Sequence, residues 1–270
     1  IAGFSLLLIK RFGLKTQEIF SLLSVFIIIL VSIFAFTKTL SNDIFVYSLG
    51  NWKAPFGIVL VLDQFSILMV LVTSLLAFGA LWYAISEGID KKGAHFHPLF
   101  QLQLFGLNGA FLTGDLFNLF VFFEILLLAS YSLLLHAKGE GRVKAGLHYV
   151  VINLVGSTLF LFAVGTLYGI LGTLNIADLS QKVAQLTPEN VSVVASAGLL
   201  LLIVFGLKAA MFPLYFWLPN AYGKTSAPVA ALFAIMTKVG IYSIIRVHGT
   251  IFGQNANELA FYYTPWVLYI

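Results

Sequence analysis

GDLFNLFVFFEILLLASYSLLL, residues 114–135, decides how this chain folds. The run is apolar almost throughout and has the length of a membrane-spanning helix, roughly 20 residues. Glu124 stands in its middle. One turn to either side lie Phe120, Val121, Leu127 and Leu128, so the local sequence offers the carboxylate no partner. A charged group at mid-bilayer costs at least ~2.5–3.5 kcal/mol. It persists if it faces other helices or water and finds a counter-charge. The plainer alternative is a protonated glutamic acid acting as hydrogen-bonded glue between helices. Ionisable groups at this depth point to function.

The rest of the chain agrees with a membrane reading. Of its 270 residues 60% are hydrophobic and only 10% charged, with a mean hydropathy of +0.99. A soluble domain carries about 25% charged residues, and a chain this apolar needs lipid to cover it. Cysteine is absent, which excludes disulfides and thiol chemistry. The net charge of +4 is spread over short loops and gives no nucleic-acid patch. No signal peptide with a cleavage site is visible in these residues. The chain opens and closes inside apolar runs, and the expectation is an internal fragment cut within a first and a last helix, poorly stable in isolation.

Apolar runs predict a short first span near 1–9, then spans near 19–37, 56–85, 98–113, 116–136, 146–171, 191–217 and 228–248, with a partial one from about 260. In lipid every backbone polar group must be satisfied within the segment, so these are helices; the alternating pattern of an outer-membrane barrel is missing. The expected fold is all-α, a polytopic transmembrane helix bundle in one domain. The segment 172–190 reads as an amphipathic surface helix with Leu174, Ile176, Leu179, Val183 and Leu186 on one side.

With the first span starting outside, the inner loops carry Lys10, Arg11, Lys15, Lys91, Lys92, Lys138, Arg142, Lys144 and Lys224. The outer loops and ends carry Lys38, Lys53, Lys182 and Arg246, an inward bias of the expected sign. The two remaining cations, Lys208 and Lys238, fall inside spans. Lys208 precedes Pro213 and Pro219, and a proline removes a backbone hydrogen bond and clashes with the turn before it. A broken helix beside a buried lysine is a common form of ion site in transporters. Lys238 sits mid-span in VAALFAIMTKVGIYSIIRV, residues 229–247. Snorkelling to the interface is the plain alternative for both lysines.

Three isolated charges on three helices cannot pair along the sequence and are expected to meet in space. In a low-dielectric site an acid and a lysine hold each other charged; a lysine that loses its counter-charge gives up its proton more readily. Lysine suits such a switch, whereas arginine stays charged. His148, near the inner end of its span, is a candidate relay to bulk water, or equally an interfacial cap. His136 is expected in a loop. His95 and His97 are two apart, do not share a helix face and lack the ligands to complete a metal site; they are expected at the interface. Asp63 and Asp115 are expected as helix caps and Arg246 as an outer-end anchor. Gly156, Ser157 and the other small residues are expected to let helices pack closely. Neither a phosphate loop nor a hydrolase nucleophile elbow is present.

Four stretches, GLNGAFLTGDLFNLFVFFEILLLASYSLLLH (106–136), AGLHYVVINLVGSTLFLF (145–162), YGILGTLNIADL (168–179) and KAAMFPLYFWLPNAYGKTSAPVAALFAIMTKVGIYSIIRV (208–247), resemble the D-type subunits of the Mrp-type (Mnh or Pha) multisubunit cation/proton antiporters. That family is similar in turn to the antiporter-like subunits of respiratory complex I. The resemblance implies two inverted five-helix repeats. Here 1–90 would be leading helices, 98–250 the first repeat with its broken helix around 208–219, and 258–270 the start of the second. It makes Glu124, Lys208 and Lys238 the residues of proton translocation. It implies protons and monovalent cations, Na⁺ among them, as cargo, the other antiporter subunits and the lipid bilayer as partners, no cofactor, no nucleic acid, and the bacterial inner membrane. The alternative is a proton-pumping subunit of complex I or of a membrane-bound hydrogenase. Those relatives usually have histidine where this chain has Tyr215 and Tyr222, which favours the Mrp branch. A third reading is a scaffold in which the three charges only join helices.

Overall fold

The computed structural model describes residues 1–136, 140–253, 256, 259 and 260. The partial span expected from about 260, the start of a second repeat at 258–270 and Lys138 fall wholly or almost wholly outside them. The chain is a helix bundle: α1 (Ala2–Ile9), α2 (Leu14–Thr39), α3 (Gln64–Ser86), α4 (Phe96–Leu112), α5 (Leu116–Leu134), α6 (Glu140–Leu171), α7 (Ile176–Ala184), α8 (Pro188–Lys208), α9 (Leu218–Lys224) and α10 (Ala227–Ser243). A π-helical turn, Ile244–His248, carries α10 on to Ile251. Among the described residues six helices are long and apolar enough to cross a membrane, and the protein is a multi-pass membrane protein. α4 is shorter, 17 residues, and buried over most of its surface. The outward faces of α2 (Ile19, Phe26, Leu30) and α6 (Leu154, Phe162) are apolar and exposed, as lipid contact requires.

The helix starts follow from the residues before them. Asp63 caps α3: its carboxylate accepts the Ser66 N–H at 2.8 Å, while the Ser66 hydroxyl accepts the Asp63 N–H at 2.9 Å. Asp115 accepts the Asn118 N–H at the start of α5, and Asn175 accepts two N–H groups at the start of α7. α7 buries Ile176, Leu179 and Val183, the apolar side read from the sequence.

A β-hairpin between α2 and α3 departs from the sequence reading. β1 (Phe45–Ser48) pairs antiparallel with β2 (Val59–Leu62), Phe45 opposite Leu62 and Ser48 opposite Val59. The expected span at 56–85 merges β2 with α3, because one apolar run crosses Asp63. The capping box at Asp63 is what divides it. β2 continues the pairing outward: Leu60 bridges Thr113, Gly114 N–H donates to Val59 O, and Ile176 N–H donates to Gly114 O. The hairpin, the α4–α5 connector and the entry to α7 thus form one hydrogen-bonded belt.

The expected span at 191–217 is also divided. α8 ends at Lys208, and residues 209–217 run as turns, with Ala210 in the left-handed region at φ +55° and a cis Phe212–Pro213 peptide. Pro213 cannot donate to the carbonyl four residues back, Ala209, and its ring clashes there, so the helix stops before it. The Leu207 carbonyl, freed at this end, accepts Ala210 N–H at 3.1 Å and the Trp217 indole N–H at 3.0 Å. Trp217 stacks on Tyr149 of α6, 5.2 Å between centroids.

Candidate functional site

Glu124 lies mid-way along α5, roughly 12 Å from its first residue and 15 Å from its last at 1.5 Å per residue. Its partner is not a charge: the Ser157 hydroxyl of α6 donates to Glu124 Oε1. One turn earlier on the same helix, Asn153 takes up Lys208, whose Nζ donates to Asn153 Oδ1 at 3.1 Å. The other end of that amide is engaged too, Nδ2 donating to the Tyr149 carbonyl at 2.9 Å. Lys208 is only 5% exposed. Its Nζ stands 5.8 Å from the centroid of Phe123, the residue beside Glu124, near enough for the two charges to interact.

Three rings close the site. Phe123, Phe160 and Phe205, from α5, α6 and α8, have centroids 5.6 to 6.3 Å apart. This apolar wall keeps the local dielectric low, which strengthens any interaction between the charges it encloses. Among the described residues the ion pairs are Arg246–Asp63, Lys182–Asp178 and His97–Asp90; none joins Glu124 to Lys208. The acid on α5 and the base on α8 are both held by α6 and are not ion-paired with each other.

The structure does not gather all the charges expected to meet. Lys238 is exposed on α10. Gly240, two residues and so about 200° round the helix, is the position packed against the backbone of Ala209. His148 is exposed on α6, edge-on to Phe216 at 6.0 Å, and makes no hydrogen bond to Glu124 or Lys208. It is five residues before Asn153, about 140° round.

Four other residues are held in ways the sequence does not show. His97 is buried, not interfacial, with Nε2 3.3 Å from Asp90 Oδ2. His136 follows α5 in a turn, but is buried, bonded to the Ile89 carbonyl at 3.1 Å and packed on Phe96; burial pushes its pKa below the ordinary histidine range. Arg246 is no free anchor: its two terminal nitrogens hold the Asp63 carboxylate and its Nε donates to the Tyr242 hydroxyl at 3.0 Å. Ser157, expected as a small packing residue, holds Glu124. Asn153 and Ser157 are thus contacts of the site that isolated charges do not reveal. The signal available in the sequence is a polar pair at i and i+4 on one face of an otherwise apolar helix.

Against known proteins, the transmembrane family of NADH:quinone oxidoreductase and Mrp antiporters matches residues 113–267, more than half of the chain and including α5, α6, α8 and α10. The chain belongs to this family. It is 55% identical over 223 residues to the probable K(+)/H(+) antiporter D subunit of Rhizobium meliloti, covering 83% of this chain and 41% of that protein. It is 43% identical over 257 residues to the Na(+)/H(+) antiporter D subunit of Alkalihalophilus pseudofirmus, covering 94% and 51%. The Mrp complex of Dietzia sp. contains a chain of the same fold, with a TM-score of 0.82 and 35% identity over 88% of this chain and 44% of that one. The chain therefore spans about half or less of the length of these relatives. The two curated relatives are named as antiporter subunits, while a chain of the archaeal membrane-bound sulfane sulfur reductase also shares the fold, with a TM-score of 0.86 and 29% identity over 97% of this chain and 54% of that one.

Proposed function

We propose that this chain carries the first-repeat proton path of the D-type subunit in a multisubunit cation/proton antiporter of the bacterial cytoplasmic membrane. The observation that carries the proposal is the arrangement of Glu124 and Lys208, a mid-span acid and a buried lysine held by neighbouring turns of α6 with no direct ion pair. A nearby Glu124 charge favours the protonated lysine; withdrawal of that charge favours proton release into the low-dielectric site. Lys238 is the next station. An exposed lysine at that depth would cost ~2.5–3.5 kcal/mol against lipid, so this face of α10 meets water or further protein. His148, on the open side of α6, exchanges protons with the aqueous side.

The cargo is a proton moved against a monovalent cation. The two relatives above are named for different cations, K⁺ and Na⁺, so the cation is assigned only by charge. The proposed partners are the other subunits of the antiporter complex. The reading calls for no covalent catalysis and no redox centre.

The test uses the full-length subunit in its complex, in inverted vesicles energised by respiration, with a ΔpH dye and added Na⁺ or K⁺. At matched complex abundance Lys208→Ala is expected to abolish the cation-induced response. An undiminished response in Lys208→Ala makes the lysine structural and ends the proposal. A wild type with no cation-dependent response would put the respiratory-enzyme reading first.

A further inference from the structure

Asn153 and Ser157 of α6 are the polar contacts of the base and the acid. Asn153 and Ser157 are four apart, so their side chains leave one face of the helix as neighbours, about 5–6 Å apart at Cβ. Gly156 stands between them in sequence, packed close to Leu207 and in ordinary contact distance of Lys208. A Cβ added there would lie 3.8 Å from Lys208 Cε and 3.9 Å from Nζ, and 2.9 Å from Leu207 Cδ2.

The Asn153 amide cannot turn over freely. Its Nδ2 is committed to the Tyr149 carbonyl, which leaves only the acceptor, Oδ1, for Lys208. An ammonium has donors only and so fits that end alone. The site is neutral, buried and pre-aimed: Asn153 is 2% exposed.

We infer that Asn153 is a positioning residue that holds the Lys208 ammonium apart from the Ser157-held Glu124 carboxylate. This rests on the antiporter reading above and deepens it. The acceptor sets how firmly the resting lysine keeps its proton, because it offers a dipole where a carboxylate would offer a full charge. Among the groups packed around Lys208, Glu124 of α5 is the charge that acts on it. From the π-helical turn His248 lies beyond Phe205 and is bonded to the Gly198 carbonyl. On α10 Lys238 is exposed, on a different side from the Gly240 contact. On α6 Tyr149 is engaged with Ser130 and His148 faces outward.

The experiment measures the pH profile of cation-induced dye recovery, in vesicles bearing the whole complex, for wild type, Asn153→Asp, Asn153→Leu and Lys208→Ala. Asn153→Asp places a carboxylate where Oδ1 now accepts Nζ. The optimum is expected to move alkaline by about 1–3 pH units, the range an adjacent opposite charge produces, with a rate at neutral pH about tenfold or more below wild type. Asn153→Leu removes the acceptor, and the optimum is expected to move to the acid side. If Asn153→Leu fails to assemble, the near-isosteric Asn153→Asp decides alone. An Asn153→Asp profile unshifted from wild type, whatever its amplitude, makes Asn153 merely structural and overturns the inference. Lys208→Ala separates the levels: a response that survives it sinks the antiporter proposal itself, whereas a lysine-dependent response with an unshifted Asn153→Asp profile sinks only this inference.

Discussion

Gly240 of α10 lies directly against the backbone of Ala209, the residue after Lys208. A Cβ at position 240 would meet Ala209 N at 2.5 Å and its Cα at 2.8 Å. Those are main-chain atoms of the break and cannot swing aside as a side chain would. Gly240→Ala is expected to lower the stability of the complex by about 1–3 kcal/mol, the usual cost of overpacking, and to shift Lys208. Gly249, which has nothing within 4 Å of an added Cβ, is the control: Gly249→Ala should leave the melting temperature almost unchanged. Thermal unfolding of the purified complex in detergent distinguishes them, and equal melting temperatures would contradict the packing argument.

The Arg246–Asp63 pair joins the end of α10 to the start of α3, with side chains only 21% and 17% exposed. Arg246→Met leaves the Asp63 carboxylate unmatched, and a destabilisation of about 3 kcal/mol is expected, the low end for breaking a buried pair. Restoring neutrality with Asp63→Asn in the same chain should recover part of it. A double-mutant cycle on melting temperature reads the coupling.

Acid should expose the same pair. Burial works against ionisation of Asp63, but Arg246 and the Ser66 N–H more than offset it and hold the carboxyl below its ordinary 3.8. A depressed carboxyl contributes stability that is fully present above its unfolded value and disappears as pH falls through the folded one. Wild-type melting should therefore be insensitive to Asp63 between neutral pH and about 4 and fall below that. Asp63→Asn should lack this part of the acid limb. An identical acid limb in the variant would show that Asp63 is not its source.

Trp217 caps the end of α8 by donating to the Leu207 carbonyl. That oxygen also accepts from Ala210 N–H, so Trp217→Phe keeps the ring and leaves no orphan acceptor. The expected loss is about 0.5–1.5 kcal/mol. Hydrogen exchange should rise at residues 209–217 more than in α2; uniform exchange would argue against a local cap.

Asn175 starts α7 by accepting from Ala177 and Asp178 N–H. Asn175→Ala should cost about 1 kcal/mol and Asn175→Asp much less. Protease access to residues 172–190 in intact vesicles would measure it.

The helical bundle is legible in the sequence because lipid forces apolar length onto each span, and the amphipathic side of α7 is legible from its spacing. Two boundaries are not. β2 runs into α3 because hydropathy does not register a capping box, even where Asp63 itself is recognisable as a cap. α8 runs on to 217 because Leu214, Phe216 and Trp217 are as apolar as a helix would be. At the site, isolated charges single out Glu124 and Lys208, since a charge in lipid stands out against its neighbours. Asn153 and Ser157 do not stand out, being neutral. His97 reads as interfacial because Asp90, seven residues earlier, joins it only after the chain turns between α3 and α4.

The belt formed by β2, the α4–α5 connector and the entry to α7 fastens the starts of α5 and α7 to the strand that leads into α3. The far end of α8 has no such lashing: it ends in turns held by Trp217 and by the Gly240 contact. The bundle is thus joined by backbone pairing at one rim, like a fan gripped at its rivet, and by single side-chain and glycine contacts at the end of α8. A tilt of α5 would turn about the belt, and Glu124, roughly 12 Å along the helix from its start, would then travel further than the start itself.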